Sequence, residues 1–247
     1  MEWLSDPNAW IALASLTALE IVLGIDNIVF ISVLAQKLPV EHQARVRTLG
    51  LALAMAGRIV LLLGISWVMG LTKELFSIGG LALSGKDLIL VFGGLFLLAK
   101  GTREIHHTME GGPDHTESKG TVTVRSVLTQ IVILDVVFSL DSVITAVGMV
   151  EYVSVMIVAV VIAVSVMLLA AGRVSAFIAK HPTVKMLALA FLILVGVTLL
   201  ADGLHFHVPK GYIYFAMGFS LFVEFLNLRA SARRKAKAAA RGAAPAA

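Results

Sequence analysis

Seven long apolar runs dominate this chain of 247 residues. A helix of roughly 20 apolar residues is long enough to cross the hydrocarbon core of a bilayer, which is about 30 Å thick. Because the runs are continuous rather than alternating, and because a backbone in lipid must satisfy its own hydrogen bonds, they predict helices rather than strands. The predicted fold class is an all-α, polytopic membrane protein with seven transmembrane helices. The runs cover residues 10–34, 49–71, 81–99, 127–150, 153–177, 184–204 and 211–228.

The composition excludes several other classes of protein. Apolar residues make up 58% of the chain and charged residues only 15%, which rules out an ordinary water-soluble globule. Cysteine is absent, so the chain is not a disulfide scaffold. The formal net charge is +4, but the basic residues lie between the apolar runs rather than in one folded patch, so no nucleic-acid partner is expected.

The distribution of lysine and arginine predicts an orientation. Fifteen of the 20 basic residues lie in loops and a tail on one side of the membrane, and three lie on the other. The positive-inside rule then places the N-terminus outside and the C-terminus in the cytoplasm of a multi-pass cell-membrane protein. Residues 1–228 form the predicted membrane domain, with one sizeable cytoplasmic loop at 101–124. Residues 229–247 form a basic cytoplasmic tail that is expected to be disordered.

An acidic motif occurs twice, in the first and fourth apolar runs. In each run an acidic residue is followed six positions later by aspartate, and then by a short side chain that carries an oxygen atom. Acidic residues within membrane spans are rare and mark functional sites by default. The motif residues are Glu20, Asp26 and Asn27 in the first run and Asp135, Asp141 and Ser142 in the fourth.

A second repeat supports the division of the chain into two halves. Residues 97–101 read LLAKG and residues 199–203 read LLADG. The halves are therefore about 10–100 and 127–204, with an extra helix at 211–228. Because three spans per half is an odd number, the second half must enter from the opposite face. The prediction is an inverted 3+3 repeat, which is common among secondary transporters.

The acids predict a cation site near the middle of the membrane. Each one costs about 2.5–3.5 kcal/mol on insertion scales, so these carboxylates must face the protein interior and find partners. Arg58 can supply one counter-ion, and protons or a bound cation must supply the rest. Oxygen donors without cysteine suit Mn²⁺, Mg²⁺ or Ca²⁺. In the alternative interpretation, the carboxylates pair with Arg58 only to hold helices together. The candidate ligands are Glu20, Asp26, Asn27, Asp135, Asp141 and Ser142.

Helical geometry separates these ligands into two groups. Positions seven apart share a face, as Glu20 and Asn27 do, whereas positions six apart differ by about 120°. For all the acids to converge, the first and fourth spans would have to be unwound near Gly24 and Ser139. Broken helices recur at transporter sites, so we predict such breaks here.

The motifs closely resemble those of the TerC family of bacterial integral membrane proteins, within the lysine-exporter-like superfamily. The resemblance rests on the two acidic motifs and on the closing run PKGYIYFAMGFS at 209–220. It covers residues from about 12 to 227, and it suggests a short single-domain member without the additional cytoplasmic domains of some relatives.

The resemblance implies a seven-helix fold in the bacterial inner membrane and export of divalent metal, chiefly manganese. It carries the family's suspected metal site onto the six motif residues. Proton exchange is a further hypothesis, and so is assembly into homo-oligomers. An exporter of small organic solutes is the alternative, with the acids binding protons or an amine. No resident cofactor is expected, and an enzyme is not expected because no span places a histidine beside a serine. The expected partners are a divalent cation and the lipid bilayer.

Overall fold

The computed structural model describes residues 2–78, 81–110, 123–149 and 152–242, and it is almost entirely helical, as predicted. The side chains of Asp26 and Asp141 lie outside the described part of the chain, as do the loop residues 111–122. A short antiparallel hairpin, β1 (Glu74–Ile78) with β2 (Leu81–Ser84), precedes the fourth helix. The helices are α1 (Pro7–Ala35), α2 (Val40–Leu63), α3 (Ile65–Gly70), α4 (Gly85–Met109), α5 (Val124–Met149), α6 (Val153–Lys180), α7 (Pro182–Gly203) and α8 (Lys210–Gly242).

Local sequence signals explain where several helices begin. Asp6 caps α1 by accepting a hydrogen bond of 2.9 Å from the backbone N–H of Asn8, and proline occupies the first helical turn. At the start of α4, Ser84 and Asp87 form a reciprocal capping box. These caps satisfy backbone N–H groups that have no partner within the helix.

Six of the described helices are long and apolar enough to cross a membrane, namely α1, α2, α5, α6, α7 and α8. The short α3 does not qualify, and neither does α4, which corresponds to the predicted third span. Its apolar stretch lies between Asp87 and Lys100 and is too short by itself to span a hydrocarbon core. The multi-pass helical fold is therefore confirmed, whereas the count of seven spans stays a prediction.

Several boundaries differ from those predicted. The run 49–71 is divided at Gly64 between α2 and α3, and residues 81–84 form β2 instead of opening a helix. Helix α4 continues to Met109, so it takes in the start of the predicted loop 101–124. Helix α8 continues past residue 228 through the basic segment to Gly242, because alanine, lysine and arginine are strong helix formers.

The helices from α1 to α7 belong to one compact unit that ends at His207, and α8 belongs to a second unit. Within the first unit, α1 packs chiefly on α6, α2 on α5 and α4 on α7. The α4–α7 crossing is unusually close. A Cβ atom on Gly94 would lie 2.6 Å from the carbonyl oxygen of Gly196, so only glycine fits at this position.

Candidate cation-binding site

Arg58 lies at the centre of the candidate site. Its side chain projects from α2 and is 3% exposed. One guanidinium nitrogen, Nη1, donates to Oε2 of Glu20 on α1. The other, Nη2, lies 3.2 Å from Oδ1 of Asp135 on α5 and donates to it. A single buried arginine therefore joins the first acids of the two motifs.

Asp135 receives two further hydrogen bonds. The Nδ2 group of Asn27, on α1, donates to the same Oδ1 atom at 3.2 Å. The hydroxyl of Ser139, one helical turn further along α5, donates to Oδ2 at 3.1 Å. All of these side chains are buried. Because Glu20 and Asn27 are seven residues apart on one helix, they reach the cluster from the same face of α1.

Ser142 is buried on α5, and among the described side chains it makes no hydrogen bond to Glu20 or Asp135. Its hydroxyl donates to the backbone carbonyl of Ser139 at 3.1 Å, three residues earlier in the same helix. The sequence motif singled out Ser142 as a ligand, which stays a prediction, and the structure adds Ser139, which donates to the described motif acid Asp135. The sequence carried a signal for Ser139: it follows Asp135 by four residues, which places the two side chains one turn apart on the same face of a helix.

The predicted breaks in the two motif helices are wrong. Helix α1 runs without interruption through Gly24, and α5 runs without interruption through Ser139. Gly24 serves close packing instead, because a Cβ atom there would lie 2.2 Å from Cε of Met167 on α6. In continuous helices, Asp26 and Asp141 start from backbone positions about 120° away from the first acids. Where their carboxylates point lies outside the described part of the structure.

Two carboxylates, one amide and one hydroxyl supply the oxygen atoms of the described cluster. Such hard donors suit Mn²⁺, Mg²⁺ or Ca²⁺, and the chain has no cysteine for softer metals. Among the described side chains, however, no three acidic or histidine residues are placed to hold a metal ion together. In this arrangement, the guanidinium of Arg58 provides the positive charge that faces both acids.

A small cavity borders the cluster on one side. Glu20 and Arg58 form its polar wall, and apolar side chains from four helices form the rest. Leu16 lies one turn before Glu20 and Leu62 one turn after Arg58, so the cavity lies toward the N-terminal end of α1. The other lining residues are Val143, Ala146, Met156, Ala159 and Val160.

The second Gly-Arg pair in the sequence, at 172–173, has a different environment from Gly57-Arg58. Arg173 lies on α6 and is exposed, whereas Arg58 is almost completely buried. The two Gly-Arg pairs therefore do not mark equivalent sites, and we attribute the recurrence of the dipeptide to chance.

The described helices and the buried ionic cluster define a multi-pass helical membrane protein with charged groups in its interior. The family model described as "Integral membrane protein TerC family" matches residues 5–239. The chain therefore belongs to the TerC family, as its motifs indicated.

Individual relatives support this assignment. The chain is 55% identical over 229 residues to a UPF0053 protein of Haemophilus influenzae, a match that covers 92% of this chain and 97% of that protein. It is 54% identical over 226 residues to the UPF0053 inner membrane protein YgdQ of Escherichia coli, covering 92% and 95%. It is 53% identical over 228 residues to the UPF0053 inner membrane protein YoaE of Escherichia coli, covering 92% of this chain but 44% of that longer protein. No solved structure shows significant similarity to the chain.

Proposed function

We propose that this protein is an inner-membrane transporter that exports divalent metal ions, with manganese as the main cargo and protons as the exchanged ion. The observation that carries the proposal is the convergence of Glu20 and Asp135 on Arg58 inside the protein. Carboxylates buried inside a membrane domain cost free energy, so by default they indicate a functional site. Their oxygen donors match the preference of Mn²⁺ and similar hard cations.

The packing of the helices supports the inverted repeat that this mechanism uses. If the halves are exchanged, α1 corresponds to α5, α2 to α6, and α4 to α7. Under this exchange, the packed pair α1–α6 becomes the pair α5–α2, which is also packed in the structure. The pair α4–α7 is exchanged with itself, because α7 is the counterpart of α4. Glycines recur at the same seven-residue spacing in α4 and α7, as Gly94 and Gly101 and as Gly196 and Gly203. In such an architecture, one half rocks against the other around a fixed central site.

The orientation belongs to the same proposal. The N-terminus lies outside the cell and the basic C-terminal segment lies in the cytoplasm, where lysine and arginine are favoured. The cavity beside Glu20 and Arg58 then lies on the external side of the acids. The ligand set comprises the six motif residues, with Asp26 and Asp141 supplying further carboxylates to Glu20, Asn27, Asp135 and Ser142.

Manganese export in cells tests the proposal. In a bacterial strain that lacks its own manganese exporter, the wild-type chain should restore tolerance to Mn²⁺ and lower cellular manganese. Glu20→Gln, Asp135→Asn and Asp141→Asn should abolish this effect at equal membrane expression, because each removes a carboxylate from the site. Glu110→Gln is the matched control, since this exposed acid lies at the end of α4 and should be replaceable without effect. Unchanged efflux in the three site variants would remove the site assignment.

Export of small organic solutes is the alternative function, suggested by the superfamily resemblance. The purified protein distinguishes the two functions through its thermal stability, because a ligand that binds only the folded state raises Tm. Stabilisation by Mn²⁺ and not by lysine or arginine supports metal transport. Stabilisation by a cationic amino acid and not by Mn²⁺ supports the alternative.

A further inference from the structure

The buried arginine occupies the oxygen atoms that a metal ion would need. Arg58 donates to Oε2 of Glu20 and to Oδ1 of Asp135, so it uses one carboxylate oxygen from each half. Asn27 donates to the same Oδ1 atom. A cation that coordinates the two acids through these same oxygen atoms needs the lone pairs that Arg58 uses. The guanidinium and the ion therefore compete for one place.

The charge balance points in the same direction. Two ionised carboxylates carry two negative charges, which one divalent ion neutralises completely. With Arg58 also in place, the group formed by Glu20 and Asp135 would carry a surplus positive charge while Asp26 and Asp141 are protonated, in a medium where unbalanced charge is expensive. An arginine side chain does not lose its proton in proteins, so it cannot make room for the ion by becoming neutral. It has to move.

The structure indicates a direction for such a movement, toward the cavity that Arg58 borders. The cavity on the N-terminal side of α1 is bordered directly by Arg58 and Glu20. The rest of the cavity lining is apolar, so a displaced guanidinium would be poorly solvated there. It would return to the acids when the ion leaves.

We propose that Arg58 is a tethered competitor of the transported cation: it binds Glu20 and Asp135 while the site is free of ion and leaves them when the ion binds. This inference rests on the proposed function and adds the means by which the site is reset. During the return step the guanidinium donates to both acids and offsets one of their two negative charges, so the carrier need not expose both carboxylates without a partner. The opposing account is that Arg58 is a permanent structural link between α1, α2 and α5.

Metal affinity separates the two accounts. We would titrate the purified protein in detergent with Mn²⁺ and measure the free ion by electron paramagnetic resonance. Arg58→Gln removes the competing charge but keeps a side chain that can donate hydrogen bonds. If Arg58 competes with the ion, this variant should bind Mn²⁺ at least tenfold more tightly than the wild type. Export should fall at least tenfold, because the ion is no longer displaced. A purely structural arginine predicts that affinity and export fall together.

The controls keep this result distinct from a failure of the proposed function. Arg173→Gln removes an exposed arginine of α6 and should leave affinity and export unchanged. Arg58→Lys keeps a positive charge but lacks the two guanidinium nitrogens that bond to the two acids. This variant should fold, and its affinity for Mn²⁺ should lie between those of the wild type and Arg58→Gln. Equal or weaker binding in both Arg58 variants, with binding still lost in Glu20→Gln, overturns the competitor role and leaves metal transport intact. Absence of Mn²⁺ binding in the wild type and in both variants would instead overturn the proposed function.

Discussion

The α4–α7 crossing and the α1–α5 cluster are both places where corresponding helices of the two proposed halves meet, but they are built in different ways. At the crossing, glycines bring two backbones almost into contact, as at Gly94 and Gly196. At the cluster, α1 and α5 contact each other less extensively and are linked by polar side chains and by Arg58 from α2. The first contact cannot slide without backbone clashes, whereas the second can exchange its partners.

This difference suggests a division of roles. Close packing of small residues stabilises helix pairs in lipid through dispersion contacts, which are lost if the helices separate by even a small distance. A hydrogen-bonded cluster can replace one donor with another, such as an arginine with a metal ion, while its acceptors stay in place. We therefore regard the α4–α7 pair as the rigid part of the fold and the α1–α5 pair as the part that would change during the proposed transport.

The largest effect is expected at the rigid crossing. A Cβ atom at position 94 would lie 2.6 Å from the carbonyl oxygen of Gly196 and 2.8 Å from the backbone nitrogen of Leu200. Backbone atoms cannot rotate away as a side chain can, so Gly94→Ala should lower the free energy of unfolding by about 3 kcal/mol. Denaturant titration of the purified protein in micelles measures this change.

Gly172→Ala is the matched control for the crossing. This glycine lies within α6, and a Cβ atom there would meet nothing within 4 Å. Its replacement should leave stability unchanged or raise it by up to about 1 kcal/mol, because alanine is the better helix former. If both substitutions had the same effect, the crossing would not be the rigid part of the fold.

An intermediate effect is expected at the cluster, and it should differ between its two acids. Asp135 accepts from Arg58, Asn27 and Ser139, so Asp135→Asn places an amide N–H₂ against at least one donor. The expected loss of stability is about 2 kcal/mol. Glu20→Gln keeps a carbonyl oxygen for Arg58 and should lose about 1 kcal/mol. The same denaturant titration checks this order. If Glu20→Gln lowered stability more than Asp135→Asn, Glu20 and not Asp135 would contribute more to the stability of the cluster.

Much of this arrangement could be predicted from the sequence because it follows from helical periodicity and from the energetics of the membrane. Continuous apolar runs in lipid have to be helical, which identified most of the helices. The seven-residue spacing of Glu20 and Asn27 places them on one face. Arg58 lies within an apolar run, and a buried cation needs an anionic partner.

Other features could not be predicted because they depend on neighbours distant in sequence. Gly24 suggested a break in α1, yet in the structure it makes room for Met167 of α6, which no local pattern indicates. The hairpin at 74–84 lies where an apolar run began, and apolar residues in short segments do not distinguish a strand from a helix. Ser139 is close to an acid in both sequence and space, but only packing decides whether its hydroxyl bonds to a side chain or to the backbone.

The smallest effect is expected from the removal of a single hydroxyl group in the cluster. Ser139→Ala removes the donor to Oδ2 of Asp135, and the loss of one such bond should lower stability by about 1 kcal/mol. Ser165→Ala is the control, since this exposed hydroxyl on α6 bonds only to the carbonyl of Val161 among the described groups. Its removal should change stability by less than about 0.5 kcal/mol.

If Asp135 is an ion ligand that Ser139 orients, Ser139→Ala should also weaken Mn²⁺ binding several-fold, whereas Ser165→Ala should not. Loss of stability without any change in affinity would mean that Ser139 only stabilises α5 and does not orient a ligand.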